Sequence, residues 1–294
     1  MDRLIFHNDR IIPLEEARLS PGQMGLLMGW GVFTTLRIYE GFPFAFERHW
    51  ARLSHDAERL GMPLPYEQGE VRGSIVKLAE CNRRPEATAR VSFVKNQGGL
   101  WADAPGRPPV DLLVFTRELV QWPAVHRLKL QPHALYSASH LAGAKMISWV
   151  QNAATLERVH QEGFDDALLQ NEQGLLVECT SANVFLVRGR QVLTPPLSSG
   201  CLPGITREVL KEVVPQAGLT LEEKDLTPAD LSAAEEVFIS SSTREVAGVG
   251  GISSPLPAQA GWNYQAPGKI TRQLEEAFRL YVKTHLKQTA AQRV

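Results

Sequence analysis

The sequence predicts a mixed α/β (α+β) fold in two domains. Three observations carry this expectation. The chain has 294 residues, enough for two cores of ordinary size. Short runs rich in β-branched and aromatic residues alternate with longer stretches of helical periodicity along the sequence. Between Leu119 and His126 the segment VQWPAVH breaks that pattern with a proline. The expected organisation is a small N-terminal α/β domain over 1–118, an interdomain loop over 119–126 and a larger domain over 127–294.

An early hairpin, LIFHNDRIIPL, is punctuated by Asn8-Asp9. The stretch Gly31–Tyr39, GVFTTLRIY, reads as a strand that stops at the turn Glu40-Gly41. In ERHWARLSHDAERLG, Trp50, Leu53, Ala57 and Leu60 recur at helical spacing, and Gly61 stands where a C-terminal cap belongs. A second helix is expected over about Tyr66–Cys81, then strands ARVSFVKN and VDLLVFTREL around the loop GGLWADAPGRPPV. Beyond the proline come a strand, RLKLQPHAL, and a helix with Trp149, Ala153 and Leu156 on one face, ending at Gly163. A hairpin follows, DALLQ and LLVE around NEQG, then strands VFLV and VLTP around Arg188-Gly189-Arg190. ITREVLKEVVPQAG reads as a helix, AEEVFISS as a strand, and KITRQLEEAFRLYVKTHL as an amphipathic C-terminal helix.

Composition narrows the function classes. Hydrophobic residues make up 44% and charged residues 21%, and the net charge is -1, so no attraction to nucleic acid or an acidic membrane is expected. No apolar run approaches the roughly 20 residues of a membrane span. The N-terminus, MDRLIFHNDRI, carries charge where a signal peptide needs an apolar core. Cys81, Cys179 and Cys201 are odd in number and far apart, which argues against a disulfide framework or a zinc ribbon. Three reduced thiols in a cytoplasmic protein are expected. The eight histidines show no H-x-x-x-H or H-E-x-x-H spacing, so no metal site is expected.

Two residues point to chemistry. Lys145 lies in HLAGAKMISWVQN after the small residues Ala142, Gly143 and Ala144, as if something bulky approached the backbone there. Read alone it is a surface lysine or, if partly buried with a lowered pKa, an amine able to condense with an aldehyde. Glu178 follows Leu175, Leu176 and Val177, which breaks strand alternation, and precedes the small polar stretch Cys179-Thr180-Ser181-Ala182-Asn183. It is either a strand-end glutamate facing water or a carboxylate in a pocket floor. Leu202–Arg207, LPGITR, opens a helix whose free first-turn N–H groups and dipole suit a phosphate. Ser240–Thr243 adds hydroxyl donors, and Arg52 is either an exposed helix arginine or a cation for the phosphate. Ser74–Lys77 matches S-x-x-K but lies mid-helix without partner motifs. Gly248–Gly251 looks like a dinucleotide loop yet has no βαβ unit around it.

Taken in order, these residues resemble the class IV aminotransferases, fold-type IV enzymes that use pyridoxal 5'-phosphate. The resemblance runs through H-x-x-R-L at His49–Leu53, Lys145, E-x-x-x-x-N at Glu178–Asn183, T-P-P at Thr194–Pro196, LPGITR at Leu202–Arg207 and EEVFISSSTREV at Glu235–Val246. It implies a small α/β domain, an interdomain loop and a larger pseudo-barrel domain, in a homodimer whose partner subunit closes the substrate pocket. It implies that Lys145 binds the cofactor covalently and moves the substrate proton, and that Glu178 holds the protonated pyridine nitrogen. It implies a phosphate site from Arg52, the amides of Ile205 and Thr206, the Thr206 hydroxyl, Ser241 and Ser242. The substrate pocket is expected around Phe33, Thr34, Arg37, Lys95, Gly98, Gly99, Thr180 and Ser181.

The departures concern substrate. Val150 stands where branched-chain enzymes usually have a tyrosine five residues after the lysine. Phe33-Thr34 replaces the Tyr-Glu of D-amino-acid enzymes, and no Arg-x-His carboxylate trap remains near Leu100–Ala102. Gly31–Thr35 and the approach Leu141–Lys145 look like aminodeoxychorismate lyase, but Leu100 replaces the arginine those lyases often carry after their Gly-Gly. Lys95, Arg37 and Arg107 are the candidates for binding a substrate carboxylate. The expected activity is transfer of an amino group from an amino acid or amine to a 2-oxo acid. The alternative is aminodeoxychorismate lyase, releasing pyruvate and 4-aminobenzoate. A non-catalytic homologue is a third reading, opposed by the joint presence of Lys145, Glu178 and the phosphate residues.

Overall fold

The computed structural model describes residues 1–97, 108–254 and 261–291, the side chains of 289–291 excepted. The chain divides into two compact units: Met1–Gln121 with Ala144–Trp149, and Trp122–Gly143 with Val150–Val294.

The first unit contains β1 (Leu4–His7), β2 (Arg10–Pro13), α1 (Met24–Met28), β3 (Gly31–Tyr39), β4 (Phe42–Pro43), α2 (Phe46–Arg59), α3 (Gln68–Cys81), β5 (Ala87–Lys95) and β6 (Val110–Arg117). Among the described residues these strands form one antiparallel sheet in the order β2-β1-β6-β5-β3-β4. Glu40 and Gly41 both take positive φ, which turns β3 tightly into β4. α2 ends as its sequence predicts. Gly61 is left-handed, its N–H bonds the Glu58 carbonyl, and the Met62 N–H reaches back to Ala57. Leu53 and Ala57 of α2 and Val71, Ile75 and Leu78 of α3 cover one sheet face, where they meet Val32, Leu36, Val91 and Phe93. Because strand side chains alternate, Phe33 lies on the opposite face.

Ala144–Trp149 belongs with this unit rather than with 127–294 for a local reason. The Phe33 N–H donates to the Lys145 carbonyl at 3.0 Å and the Ile147 N–H to the Gly31 carbonyl at 2.9 Å, so the segment runs antiparallel beside β3 through an isolated bridge between Val32 and Met146. Gly31 permits the approach, since a Cβ there would meet Ile147 Cδ1 at 2.6 Å and the Phe93 carbonyl at 2.5 Å.

The second unit contains β7 (His126–Leu135), α4 (Val150–Gln161), β8 (Asp166–Asn171), β9 (Leu176–Cys179), β10 (Asn183–Arg188), β11 (Gln191–Thr194), α5 (Ile205–Gln216), β12 (Thr220–Glu223), α6 (Pro228–Ser232), β13 (Glu236–Ser241), β14 (Glu245–Ser253), β15 (Trp262–Asn263) and α7 (Lys269–Ala291). Among the described residues its strands form a mixed sheet, β12-β11-β10-β13-β14-β7-β8-β9, with β15 on β14. The two ends of that path meet, because Leu176 of β9 bonds Leu226, just beyond β12. The sheet thus curls round toward closure as a half-barrel. Leu128, Leu168, Val184, Val237, Ile239 and Val249 fill one core. Phe185 and Phe238 stack across β10 and β13 with centroids 4.7 Å apart.

One local expectation changes, and one dismissed motif finds its place. α4 begins after Trp149 and buries Val159, whereas Ala153 is exposed. The glycine-rich stretch Gly248–Gly251 lies within a nine-residue strand, β14. Its glycines answer crowding: a Cβ on Gly248 would meet Pro267 Cα at 2.9 Å, and one on Gly250 would meet Val125 Cγ1 at 2.5 Å. No helix among the described residues is long and apolar enough to cross a membrane.

Candidate active site

The candidate amine, Lys145, belongs to the first unit. Besides its carbonyl bond to Phe33, Lys145 donates its backbone N–H to the buried Asp56 carboxylate of α2 at 3.0 Å. Burial raises the Asp56 pKa, opposed by that N–H and by the Arg52 and Arg59 charges. With the backbone pinned at both points, the Lys145 side chain projects beside Phe33, and Nζ stands 4.7 Å from the ring centroid. The Arg90 guanidinium of β5 covers the same ring, Cζ at 3.7 Å from the centroid. Register explains it: Arg90 opposes Thr35, and Ser92 opposes Phe33, on the sheet face away from α2 and α3. Arg90 Nε donates to Ser92 Oγ at 3.4 Å, and no carboxylate among the described residues pairs with the guanidinium. Burial lowers its pKa. Sequence reasoning missed Arg90, since a basic residue in an alternating strand reads as solvent-facing.

Of the other expected pocket residues in this unit, Thr34 faces α2. Its Oγ1 lies 2.7 Å from His49 Nδ1 and accepts from Arg52 Nη2 at 3.0 Å. His49 is buried and its pKa is held well below the usual imidazole range, first by desolvation and then by the Arg52 and Lys145 charges, so it is neutral. Arg37 lies further along β3, 3.8 Å from Glu86 and over the Tyr39 ring. Lys95 shares the helix-facing side with Phe93, its Nζ 3.7 Å from the Trp30 centroid. It therefore does not join Phe33 and Lys145. Gly98, Gly99 and Arg107 lie outside the described residues.

The second unit carries the carboxylate and the helix N-terminus. Glu178, half-buried at the end of β9, accepts the Leu202 N–H at 3.0 Å and Asn183 Nδ2 at 3.4 Å, both on Oε2. Asn183 Nδ2 also donates to the Leu202 carbonyl at 2.9 Å. Gly204 is required beside it, because a Cβ would meet Asn183 Oδ1 at 2.0 Å. Gly204 caps α5 without a side-chain bond, which leaves the first-turn amides of Ile205 and Thr206 for an anion. Ser241 and Ser242 follow the strand pairing of Asn183 with Ser240. The small residue Gly143 is explained by φ +73° and by the Cys201 carbonyl, 2.9 Å from where a Cβ would stand. Thr180 and Ser181 turn their hydroxyls inward. Thr180 Oγ1 donates to Asp166 Oδ1 at 2.5 Å and Ser181 Oγ to Asp166 Oδ2 at 2.7 Å, so neither hydroxyl proton is offered to a substrate. Burial pushes the Cys179 thiol well up and the Cys201 thiol to about 11, so neither is a nucleophile at neutral pH.

The donor set suits one cofactor type. A carboxylate steadied by two donors can accept a protonated pyridine nitrogen, uncapped helix amides with serine hydroxyls can hold a phosphate, and a positioned amine can take an aldehyde.

Comparison with known proteins agrees. Residues 31–252 match the family model described as amino-transferase class IV. A putative branched-chain-amino-acid aminotransferase of Methanocaldococcus jannaschii is 26% identical over 278 residues, 94% of this chain and 95% of the relative. A D-alanine aminotransferase of Bacillus licheniformis is 26% identical over 283 residues, 93% of this chain and 95% of the relative. The crystal structure of a branched-chain aminotransferase from Thermoproteus uzoniensis with norvaline shares the fold. It superposes with a TM-score of 0.85 at 24% identity, covering 96% of this chain and 95% of the other. With the family model matching residues 31–252, most of its length, the chain is a member of the class IV aminotransferases.

Proposed function

We propose that this aminotransferase uses pyridoxal 5'-phosphate to move an amino group from a carboxylate-bearing amino donor to a 2-oxo acid. One observation carries the substrate class: the Lys145 amine and the Arg90 guanidinium share the Phe33 ring, and Arg90 has no acid partner among the described residues. A half-buried arginine in that state favours an incoming carboxylate, which it can bind through two parallel N–H donors.

When bound, pyridoxal phosphate supplies an aldehyde to receive the amino group and a ring that withdraws electrons from the substrate Cα. Lys145 Nζ would hold the cofactor through its aldehyde and is the group that would take up and return the substrate Cα proton. Asp56 and Phe33 orient Lys145 through its backbone. Glu178, steadied by Asn183 and the Leu202 amide, would hold the proton on the pyridine nitrogen. Arg52, the Ile205 and Thr206 amides, the Thr206 hydroxyl, Ser241 and Ser242 would hold the phosphate. Thr34 and neutral His49 orient Arg52. Arg90 fixes the substrate carboxylate, while Arg37, Lys95 and the Thr180 and Ser181 hydroxyls have other partners. The same reading includes a homodimer, supported by exposed Leu19, Leu26, Leu27 and Met28 around α1, and a cytoplasmic setting, supported by free Cys81, Cys179 and Cys201.

The test is a half-reaction screen. Protein loaded with pyridoxal phosphate should show a visible absorption band that bleaches with a subset of L-amino acids, D-amino acids or R-amines and returns with a 2-oxo acid. K145A should lose the band and lower turnover by at least about 10⁴-fold, the scale of losing both nucleophile and proton carrier. Pyruvate released from aminodeoxychorismate without an acceptor would overturn the transaminase assignment in favour of the lyase.

A further inference from the structure

Arg244 stands in the tight turn between β13 and β14, an unusual place for a buried cation. Its side chain is 2% exposed and that of Asp166 is 0% exposed, and Arg244 Nη2 lies 3.3 Å from Asp166 Oδ2. Nη1 donates to Ser181 Oγ at 3.0 Å, the guanidinium covers the Trp122 ring at 3.8 Å, and the Arg244 N–H donates to Ser241 Oγ at 3.1 Å. Trp122 Nε1 donates to the Thr243 carbonyl at 3.2 Å. Asp166 meanwhile accepts the Thr180 N–H at 3.0 Å as well as the Thr180 and Ser181 hydroxyls. One buried ion pair therefore ties three segments that are remote in sequence: the turn after Glu178, the turn after Ser241, and the chain at Trp122.

We propose that Arg244 is a positioning residue that sets the spacing between the Glu178 end and the Ser241–Ser242 end of the cofactor site within the second unit. The inference rests on the cofactor reading above. Pyridoxal phosphate would span only a narrow range of distances between its ring nitrogen and phosphate, and the groups that would receive its two ends stand on different strands, Glu178 in β9 and Ser241 at the end of β13. The β10–β13 ladder fixes the two strands up to its last pair, Asn183 opposite Ser240. Past that pair, Arg244 bonds Ser181 of the other turn and faces Asp166, which also accepts the Thr180 and Ser181 hydroxyls, so this group cross-links the two turns. A guanidinium can bond Ser181, face Asp166 and stack on Trp122 at once, which an ammonium cannot do. Holding both ends at the right separation gives affinity through preorganisation rather than through a contact with the ligand.

R244K, measured with three probes, tests this. The Kd of pyridoxal phosphate should rise about tenfold or more, as expected when two anchoring ends fall out of register by a fraction of an ångström. The Kd values of pyridoxal and of inorganic phosphate, which each use one end, should stay within about twofold by the same reasoning. An equal rise for all three would reveal general damage and overturn the proposal, as would no change in any. Should R244K fold poorly, the double variant D166N/R244Q, which replaces the ion pair with an amide pair, should show the same selective loss. Hydrogen exchange of the cofactor-free protein separates this idea from the cofactor reading. Acceleration in R244K at both Cys179–Asn183 and Ser241–Glu245 supports the cross-link, whereas acceleration at Ser241–Glu245 alone overturns it. A wild-type protein that binds no pyridoxal phosphate would sink the cofactor reading and leave the cross-link to be judged by exchange.

Discussion

Arg90 of the first unit and Arg244 of the second unit resemble each other at close range. Each is a largely buried guanidinium lying on an aromatic ring, Phe33 at 3.7 Å and Trp122 at 3.8 Å. Burial lowers the pKa of both. They differ in what compensates the charge. Arg244 faces the Asp166 carboxylate and two polar atoms of Ser181. Arg90 faces Phe33 and Ser92, with no acid among the described residues. A desolvated cation whose partners are all internal serves the fold, while one without an acid is held ready for an anion that arrives.

Substitution should separate the two most sharply in stability. R244M leaves the Asp166 charge buried without its cation and should cost about 3–5 kcal/mol in urea unfolding. R90M removes a desolvated charge with no internal acid and should change stability by less than about 1 kcal/mol. Equal losses in the two variants would erase the distinction. Activity should run the other way: R90M should lower kcat/KM for carboxylate-bearing donors by about 10–100-fold, the worth of a charge-assisted pair, while a simple amine is affected far less. An equal loss for both donor types would show that Arg90 does not touch the carboxylate.

The smallest effect concerns His49, beside Arg52. Its folded pKa lies below the ordinary 6.5, so as pH falls below that value the unfolded chain takes up a proton that the folded chain refuses. Stability should decline from about pH 6.5 down to the folded pKa, with no contribution from this group above that window. H49N should flatten part of the decline when urea midpoints at pH 7.5 and 5.5 are compared. Part should remain, because buried His126 is also lowered, chiefly by desolvation. An unchanged slope would show that His49 is protonated in the fold.

Much of the fold is legible in the sequence. The α2 stripe and its Gly61 cap, the Glu40-Gly41 turn and the helix beginning at Ile205 follow from periodicity and from backbone preferences that act over a few residues. β14 is not legible, because its glycines read as a loop until Pro267 and Val125 press on them in the folded chain. Thr180 and Ser181 read as pocket hydroxyls until the fold brings Asp166 beneath them. Lys95 and Arg37 are plausible carboxylate binders by charge alone, and sheet parity and the Glu86 pairing direct them elsewhere.

By itself the sequence singled out the candidate groups, Lys145, Glu178 and the helix start at Leu202–Arg207, and the order of most strands and helices along the chain. Those properties depend on residue type and on neighbours within a turn or two. Only the tertiary structure decided which cations are compensated and where the lysine segment lies. Arg244 meets Asp166 across 78 positions, and the Lys145 backbone meets Asp56 across 89. Pairings at that separation are set by strand register and the packing of whole units, which no local pattern encodes.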